Sequence, residues 1–166
     1  LKIIHKEFPI PALSGTTDIY SYNQAWLFAS DNVWSPRMTP QSHGAYTPKL
    51  AQINLQHLQA QNAPDNILFR IEPIDNRLPS LEDGLSWPTL INHYFATKLE
   101  KDTLYLRKRP IHNDINPIAE NSFYHEKHSL DEEVILPQTQ QPLFAKIELK
   151  PTWLGKIATL LFKAPQ

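Results

Sequence analysis

The sequence predicts an α/β fold: a small, mainly parallel sheet with flanking helices, followed by a short C-terminal extension carrying strand and helix signals. Three observations carry that expectation. Segments in which apolar and polar residues alternate take turns along the chain with segments of helical period, giving the order strand, helix, strand, helix, strand. The elements are brief, because 15 prolines against 4 glycines in 166 residues impose rigid extended connections between them. A polar stretch without period, residues 111–133, is too long for an ordinary loop and divides the chain. The organisation expected is an α/β domain over 1–110, a linker or excursion over 111–133, and strands plus an amphipathic helix over 134–166, the start of a further subdomain.

Each element has its own warrant. Thr17 to Tyr20 reads as a short strand, and the apolar density of Asn23 to Ala29 suits a short buried helix that stops at Asp31-Asn32. Pro36 and Pro40 forbid a helix interior, so Trp34 to Pro40 is extended, a loop or edge strand. Thr47-Pro48 is a helix start: threonine accepts from an orphan amide, and proline at the first helical position has no donor to lose. Leu50, Ala51, Ile53, Leu55, His57 and Leu58 then form one broad face, with Gln52, Gln56, Gln59 and Gln61 wet, up to Pro64. Ile67, Phe69 and Ile71 alternate with Leu68, Arg70 and Glu72, which reads as a strand buried on one face and stopped by Pro73.

Trp87, Leu90, Ile91 and Tyr94 recur at helical spacing behind Ser86 and Pro88, predicting a helix that runs to about Lys98. Thr103 to Arg109 alternates again before Pro110. Right-handed crossovers would then make the first three long strands parallel, set Ile67, Phe69, Ile71, Leu104 and Leu106 in neighbouring strands, and pack Trp87, Leu90, Ile91 and Tyr94 on one face. Farther on, Val134 to Leu136 and Leu143 to Leu149 have strand patterns, and Thr152 caps a helix carrying Trp153, Leu154, Ile157, Leu160 and Leu161.

Composition limits the chemistry. Lys and Arg number 16 against 17 Asp and Glu and lie scattered, so no concentrated positive field invites nucleic acid. The absence of cysteine excludes a thiolate nucleophile, a disulfide framework and cysteine-type zinc sites, and leans toward an oxidising compartment. No initiator methionine opens the chain and Met38 is its one methionine, so a piece of a larger protein is expected; no apolar run reaches the roughly 20 residues that span a bilayer. His125 and His128 are too few and too poorly spaced for a metal site, and no cofactor motif is present.

Two stretches remain as candidate binding sites. Asp75, Arg77, Glu82 and Asp83 lie in the loop that follows the clearest strand, where open α/β sheets bind ligands; an Asp75–Arg77 ion pair would order that loop, leaving Glu82 and Asp83 to accept hydrogen bonds from a polyhydroxyl ligand. Trp34, Arg37, Gln41, His43 and Tyr46 precede the helix at Pro48 and combine aromatic faces with amide and guanidinium groups, as sugar and carboxylate sites do. Both stretches should reach the carboxyl edge of the sheet, with Arg37 able to meet Asp75 or Asp83.

Pro36-Arg37, Gln41-Ser42, Ala45-Tyr46-Thr47-Pro48, Ala63-Pro64-Asp65, Ile74-Asp75, Arg77-Leu78-Pro79 and Leu81-Glu82-Asp83-Gly84 together resemble the extracytoplasmic part of uncharacterised bacterial multi-pass membrane proteins. Those proteins are distantly similar to the lipid-linked-sugar glycosyltransferases related to protein mannosyltransferases. The resemblance spans roughly residues 16–110; Met38-Thr39 and His43-Gly44 depart from its pattern. It implies a domain at the periplasmic face of the inner membrane, partnered by the membrane-embedded part of the same polypeptide; a binding or scaffolding role, toward a glycan or other polar ligand, is expected from the ends of the fragment, the absent cysteines and the lack of a catalytic constellation. A small free-standing glycan hydrolase using the loop carboxylates is the alternative.

Overall fold

In the computed structural model, which describes residues 1–20, 22–72, 74–77, 79–110, 124–140 and 142–161, helix α1 spans Lys2–Glu7 and strand β1 spans Thr16–Tyr20. Helix α2 (Gln24–Phe28) and the two-residue strand β2 (Val33–Trp34) follow, then helix α3 (Pro48–Gln59) and strand β3 (Asn66–Phe69). Helix α4 (Ser86–His93) leads directly into strands β4 (Tyr94–Glu100) and β5 (Thr103–Lys108); helix α5 (Trp153–Leu161) comes last. The chain divides into two units, one through residue 123 and one from Tyr124 onward.

The sheet has the order β2-β1-β3-β5-β4. Its left half is parallel as expected: β1 pairs with β2, and with β3 in the register Asp18↔Ile67, Ile19↔Leu68 and Tyr20↔Phe69. The mainly parallel arrangement is overturned in the right half. β5 runs antiparallel to β3, with Ile67 opposite Leu106 and Phe69 opposite Leu104, and antiparallel to β4 as well. The cause lies at the end of α4, which stops at His93 rather than near Lys98: Tyr94 takes an extended conformation, and Lys101-Asp102 closes a two-residue hairpin with Lys101 at φ 50°. A hairpin replaces the second crossover: once the helix has ended, Tyr94 to Glu100 turns back on Thr103 to Lys108, with a register shift between Ala96 and Lys98.

Both faces of the sheet are covered. Ile19, Leu68 and Tyr105 pack with Ile10 and Leu27 on one side, while Tyr20, Ile67, Leu58, Leu90 and Tyr94 pack on the other. The strand expected to be buried on one face is therefore buried on both, Ile67 and Leu68 being equally inaccessible, as suits a central strand of a three-layer α/β/α unit. Ile71 lies past the end of β3 and is exposed, as is Ile91; Phe69 instead meets Trp87 edge to face at 5.3 Å. Helix α3 starts as expected, with the Thr47 hydroxyl accepting from the Leu50 amide at 3.2 Å.

In the second unit, residues 124–140 and 142–150 form no strand, so the strands expected at Val134–Leu136 and Leu143–Leu149 are absent; among the described residues their alternating side chains find no neighbouring strand to pair with. The helix expected after Thr152 is present, and the Thr152 hydroxyl accepts from the Gly155 amide at 3.1 Å. Much of 111–133 lies outside the described residues; 124–133 is exposed chain.

Candidate functional site

Three parallel strands point their carboxyl ends at one edge, and the loops leaving them are tied together by a single side chain. Pro36 and Pro40 frame an extended segment that leaves β2 and turns Arg37 inward, where its side chain is 0% exposed. One terminal nitrogen of Arg37 donates to Asp18 Oδ2 at 2.9 Å and to the Ile19 carbonyl at 2.8 Å; the other donates to Ser42 Oγ at 3.0 Å. The guanidinium lies 3.5 Å from the centre of the Tyr20 ring, and its Nε stands 3.7 Å from Asp83 Oδ2. The expected meeting of the 37–46 and 75–84 segments thus takes place, through Asp83 rather than Asp75.

Asn54 completes the junction. It sits at the centre of the buried stripe of α3, between Ala51 and Leu58. Its amide oxygen accepts from the Thr39 amide, while its nitrogen donates to the Thr39 carbonyl and, at 3.0 Å, to Asp83 Oδ2. The Ser86 hydroxyl takes the other Asp83 oxygen at 2.9 Å, and the Trp34 indole donates to Asp18 Oδ1 at 3.0 Å. Asp83 holds a left-handed φ of 55°, and the glycine after it is required because a Cβ on Gly84 would collide with the Ser80 carbonyl.

Electrostatics follow burial. Desolvation opposes the Arg37 charge, but Tyr20, Asp18 and Asp83 outweigh it and hold its pKa above the ordinary arginine value. At Asp83 burial wins over Arg37, Ser86 and Asn54, and the carboxyl is pushed up. Burial also pushes the Tyr20 phenol up; its hydroxyl lies near Ser86 and Asp83 without hydrogen-bond geometry to either.

Beside this junction the sheet opens. The connection leaving β1 passes toward β2, and the one leaving β3 passes the other way, toward α4 and β4, so a crevice falls between the two strand ends. Tyr20 and Phe69, the last residues of those strands, line it together with Ser42, Arg70, Glu72, Glu82 and Trp87. It measures about 240 Å³ out to open solvent, and its narrow part holds roughly one water. Glu72 accepts from the Asn23 amide at 2.6 and 2.7 Å and pairs with Arg70 at 2.9 Å, yet burial still pushes its carboxyl up. Glu82, only 6% exposed, accepts one long bond, from the Ile74 amide at 3.4 Å.

Of the residues singled out in the sequence, Arg37 and Asp83 are sealed in the core and cannot touch a ligand, which corrects their assignment to a binding surface. Trp34 is half-buried, with Phe28 edge-on at 4.8 Å. Glu82 reaches the crevice, whereas Gln41, Tyr46, Asp75 and Arg77 are exposed and do not line it. No Asp75–Arg77 ion pair forms among the described residues; Asp75 and Asn76 both take positive φ in a turn closed by the Arg77 amide on the Ile74 carbonyl, so backbone geometry orders that stretch. His43 Nδ1 is buried without a hydrogen bond, against the edge of the Tyr22 ring.

Sequence reasoning missed Asp18, Tyr20, Asn54, Ser86, Arg70 and Glu72. Two of them carried a signal: Asp18 interrupts a strand and Asn54 interrupts an apolar helical stripe, and a polar residue in a core position needs partners. Among the described residues no three His, Cys, Asp or Glu side chains gather as a metal site would require. No protein-family model, no curated protein and no solved structure matches this chain.

Proposed function

We propose that the first unit is a binding and scaffolding domain of a larger bacterial envelope protein, extracytoplasmic and joined to a membrane-embedded part of the same polypeptide, and that its crevice takes a hydroxyl-rich group such as one ring of a glycan. The observation that carries the ligand reading is Glu82, a nearly buried carboxylate with spare acceptor capacity, placed among the rings of Tyr20, Phe69 and Trp87 at the switch point of the sheet. Carboxylates that accept from paired hydroxyls, beside an aromatic face that covers sugar C–H groups, are what such ligands require. Entry of a ring requires the Arg70 side chain to move, which breaks its ion pairs with Glu72 at 2.9 Å and Asp102 at 3.7 Å and its stacking over Trp26. The scaffolding reading rests on the Arg37 junction, which holds two proline-framed loops carrying exposed Met38, Tyr46 and Leu81. The motif residues from Pro36 to Gly84 support the envelope setting.

Monosaccharides and short glycans, titrated on the order of millimolar and followed by amide and indole NMR shifts, test the ligand reading. Shifts should centre on Trp87 and residues 70–84 and disappear in Glu82→Gln; a panel that moves no resonance there defeats it. One observation favours hydrolysis instead: Glu72 and Glu82 both line the crevice, and Glu72 is held toward its protonated form. Turnover of aryl glycosides that Glu82→Gln abolishes would replace a binding domain with an enzyme.

A further inference from the structure

The described chain of the second unit leaves its apolar side chains uncovered. Ile147, Leu149, Trp153, Leu154 and Leu160 are between 71% and 88% exposed, and Ile157 is 40% exposed. On α5 these positions are ordered: at about 100° per residue, Trp153, Leu154, Ile157 and Leu160 fall within an arc of roughly 120°, and Lys156 stands at its margin. The extended chain before it alternates Ala145, Ile147 and Leu149 with Lys146, Glu148 and Lys150. Across 143–161 the charged residues are Lys146, Lys150 and Lys156 against Glu148, which lies 3.8 Å from Lys150.

We propose that residues 143–161 form an interfacial membrane-binding segment that lies on an anionic bilayer. The arc of α5 enters the boundary between headgroups and acyl chains, with Trp153 at the depth where indoles settle, while the three lysines meet lipid phosphates, Lys156 by extending its stem along the helix margin. Charge decides the occupant. A second copy would bring the same excess of lysine against itself, whereas anionic lipid complements it. The one-sided arc decides the orientation: a helix apolar on one side with Lys156 at the margin of that side lies along a surface. Among the described residues no helix is long and apolar enough to cross a membrane. This inference is independent of the crevice and of its ligand.

The test is flotation of the whole chain with vesicles of phosphatidylethanolamine and phosphatidylglycerol, compared with phosphatidylcholine alone. Binding to the anionic vesicles should be about tenfold or more the stronger, should weaken in high salt, and should be lost in the K146E/K150E/K156E triple variant, whose positions are exposed and tolerate the exchange. Brominated lipid should quench tryptophan emission in the native chain, and Trp153→Phe should remove that quenching, because Trp26, Trp34 and Trp87 are half-buried against neighbouring side chains whereas Trp153 is exposed. Equal binding to both vesicle types, binding indifferent to the triple charge reversal, or quenching that survives Trp153→Phe would overturn the proposal. So would a chain that ignores vesicles and instead sediments as a dimer that Leu154→Glu dissociates.

Discussion

Replacing Arg37 by methionine tests whether one buried side chain holds the carboxyl edge together. Methionine keeps much of the volume, so the loss is polar: the bonds to Asp18, the Ile19 carbonyl and Ser42, the approach to Asp83 and the stacking on Tyr20 all go. Asp18 and Asp83 stay behind, both without side-chain exposure and without the cation that each had beside it. Removing one member of a buried ion pair costs about 3–5 kcal/mol, and the stacked cation adds up to about 2, although the two overlap and do not sum. A loss of about 4–5 kcal/mol is therefore expected, a large share of the ~5–15 kcal/mol typical of a domain. Arg37→Lys keeps the charge, but one ammonium cannot serve Asp18, Ile19 and Ser42 while covering a ring, so about 2–3 kcal/mol should still go. Urea unfolding followed by far-UV circular dichroism reads both, with exposed Arg77→Met as a control expected within about 0.5 kcal/mol of the native chain. If Arg37→Met unfolds within about 1 kcal/mol of the native protein, the junction is not what holds these loops.

Asn54→Ala should cost about 2–3 kcal/mol in the same assay, because it frees both backbone groups of Thr39 and one oxygen of Asp83 in a buried site; a loss below about 0.5 kcal/mol would show that water replaces it without cost. Asp83→Asn should gain stability relative to the native chain as pH rises. The Asp83 carboxyl is raised above its ordinary 3.8, so the folded form holds its proton longer than the unfolded chain, and the stability this gives is lost as pH climbs from about 4 through the raised value; unfolding curves for both proteins across that range should diverge, and parallel curves would refute the shift. His128, hydrogen-bonded to Glu132 and Glu126, should titrate above an ordinary histidine in an NMR pH series, and E126Q/E132Q should bring its midpoint down; an unmoved midpoint would remove those contacts from solution.

What the sequence made legible was local. Thr47-Pro48 announced α3 because capping chemistry is written in adjacent residues, and the same holds for Thr152 and α5. The β1–β3 pairing followed from helix-separated strands. The error at Tyr94 arose where two patterns share a residue: Trp87, Leu90, Ile91 and Tyr94 satisfy a helix, while Tyr94 also opens the strand that pairs back through the Lys101-Asp102 turn, with a register shift between Ala96 and Lys98. Periodicity cannot choose between them at the shared residue; the gain from pairing β5 against β3 does, and that is a long-range term. At 134–149 the failure was of the opposite kind, since alternation marks a chain able to form a strand but supplies no strand for it to pair with.

The candidate site was legible only as a neighbourhood, and charge is the reason. Arg37, Asp18 and Asp83 read in one dimension as residues that prefer water, so a sequence argument assigns them to a surface and from there to a ligand. Burial of an ion requires a partner that lies 19 residues away for Asp18 and farther for Asp83, and nothing local reports that distance. Glu82 shows the complementary case. Its neighbour Asp83 turns into the core, where Asn54 and Ser86 each donate to one of its oxygens and Arg37 approaches at 3.7 Å, while Glu82 lines the crevice. Two consecutive acids of the same apparent character thus divide into one that anchors the loop and one that remains available for a ligand. The sequence offered Glu82 and Asp83 together as acceptors for a ligand, and nothing local to the loop separates the one held by Asn54 and Ser86 from the one that lines the crevice.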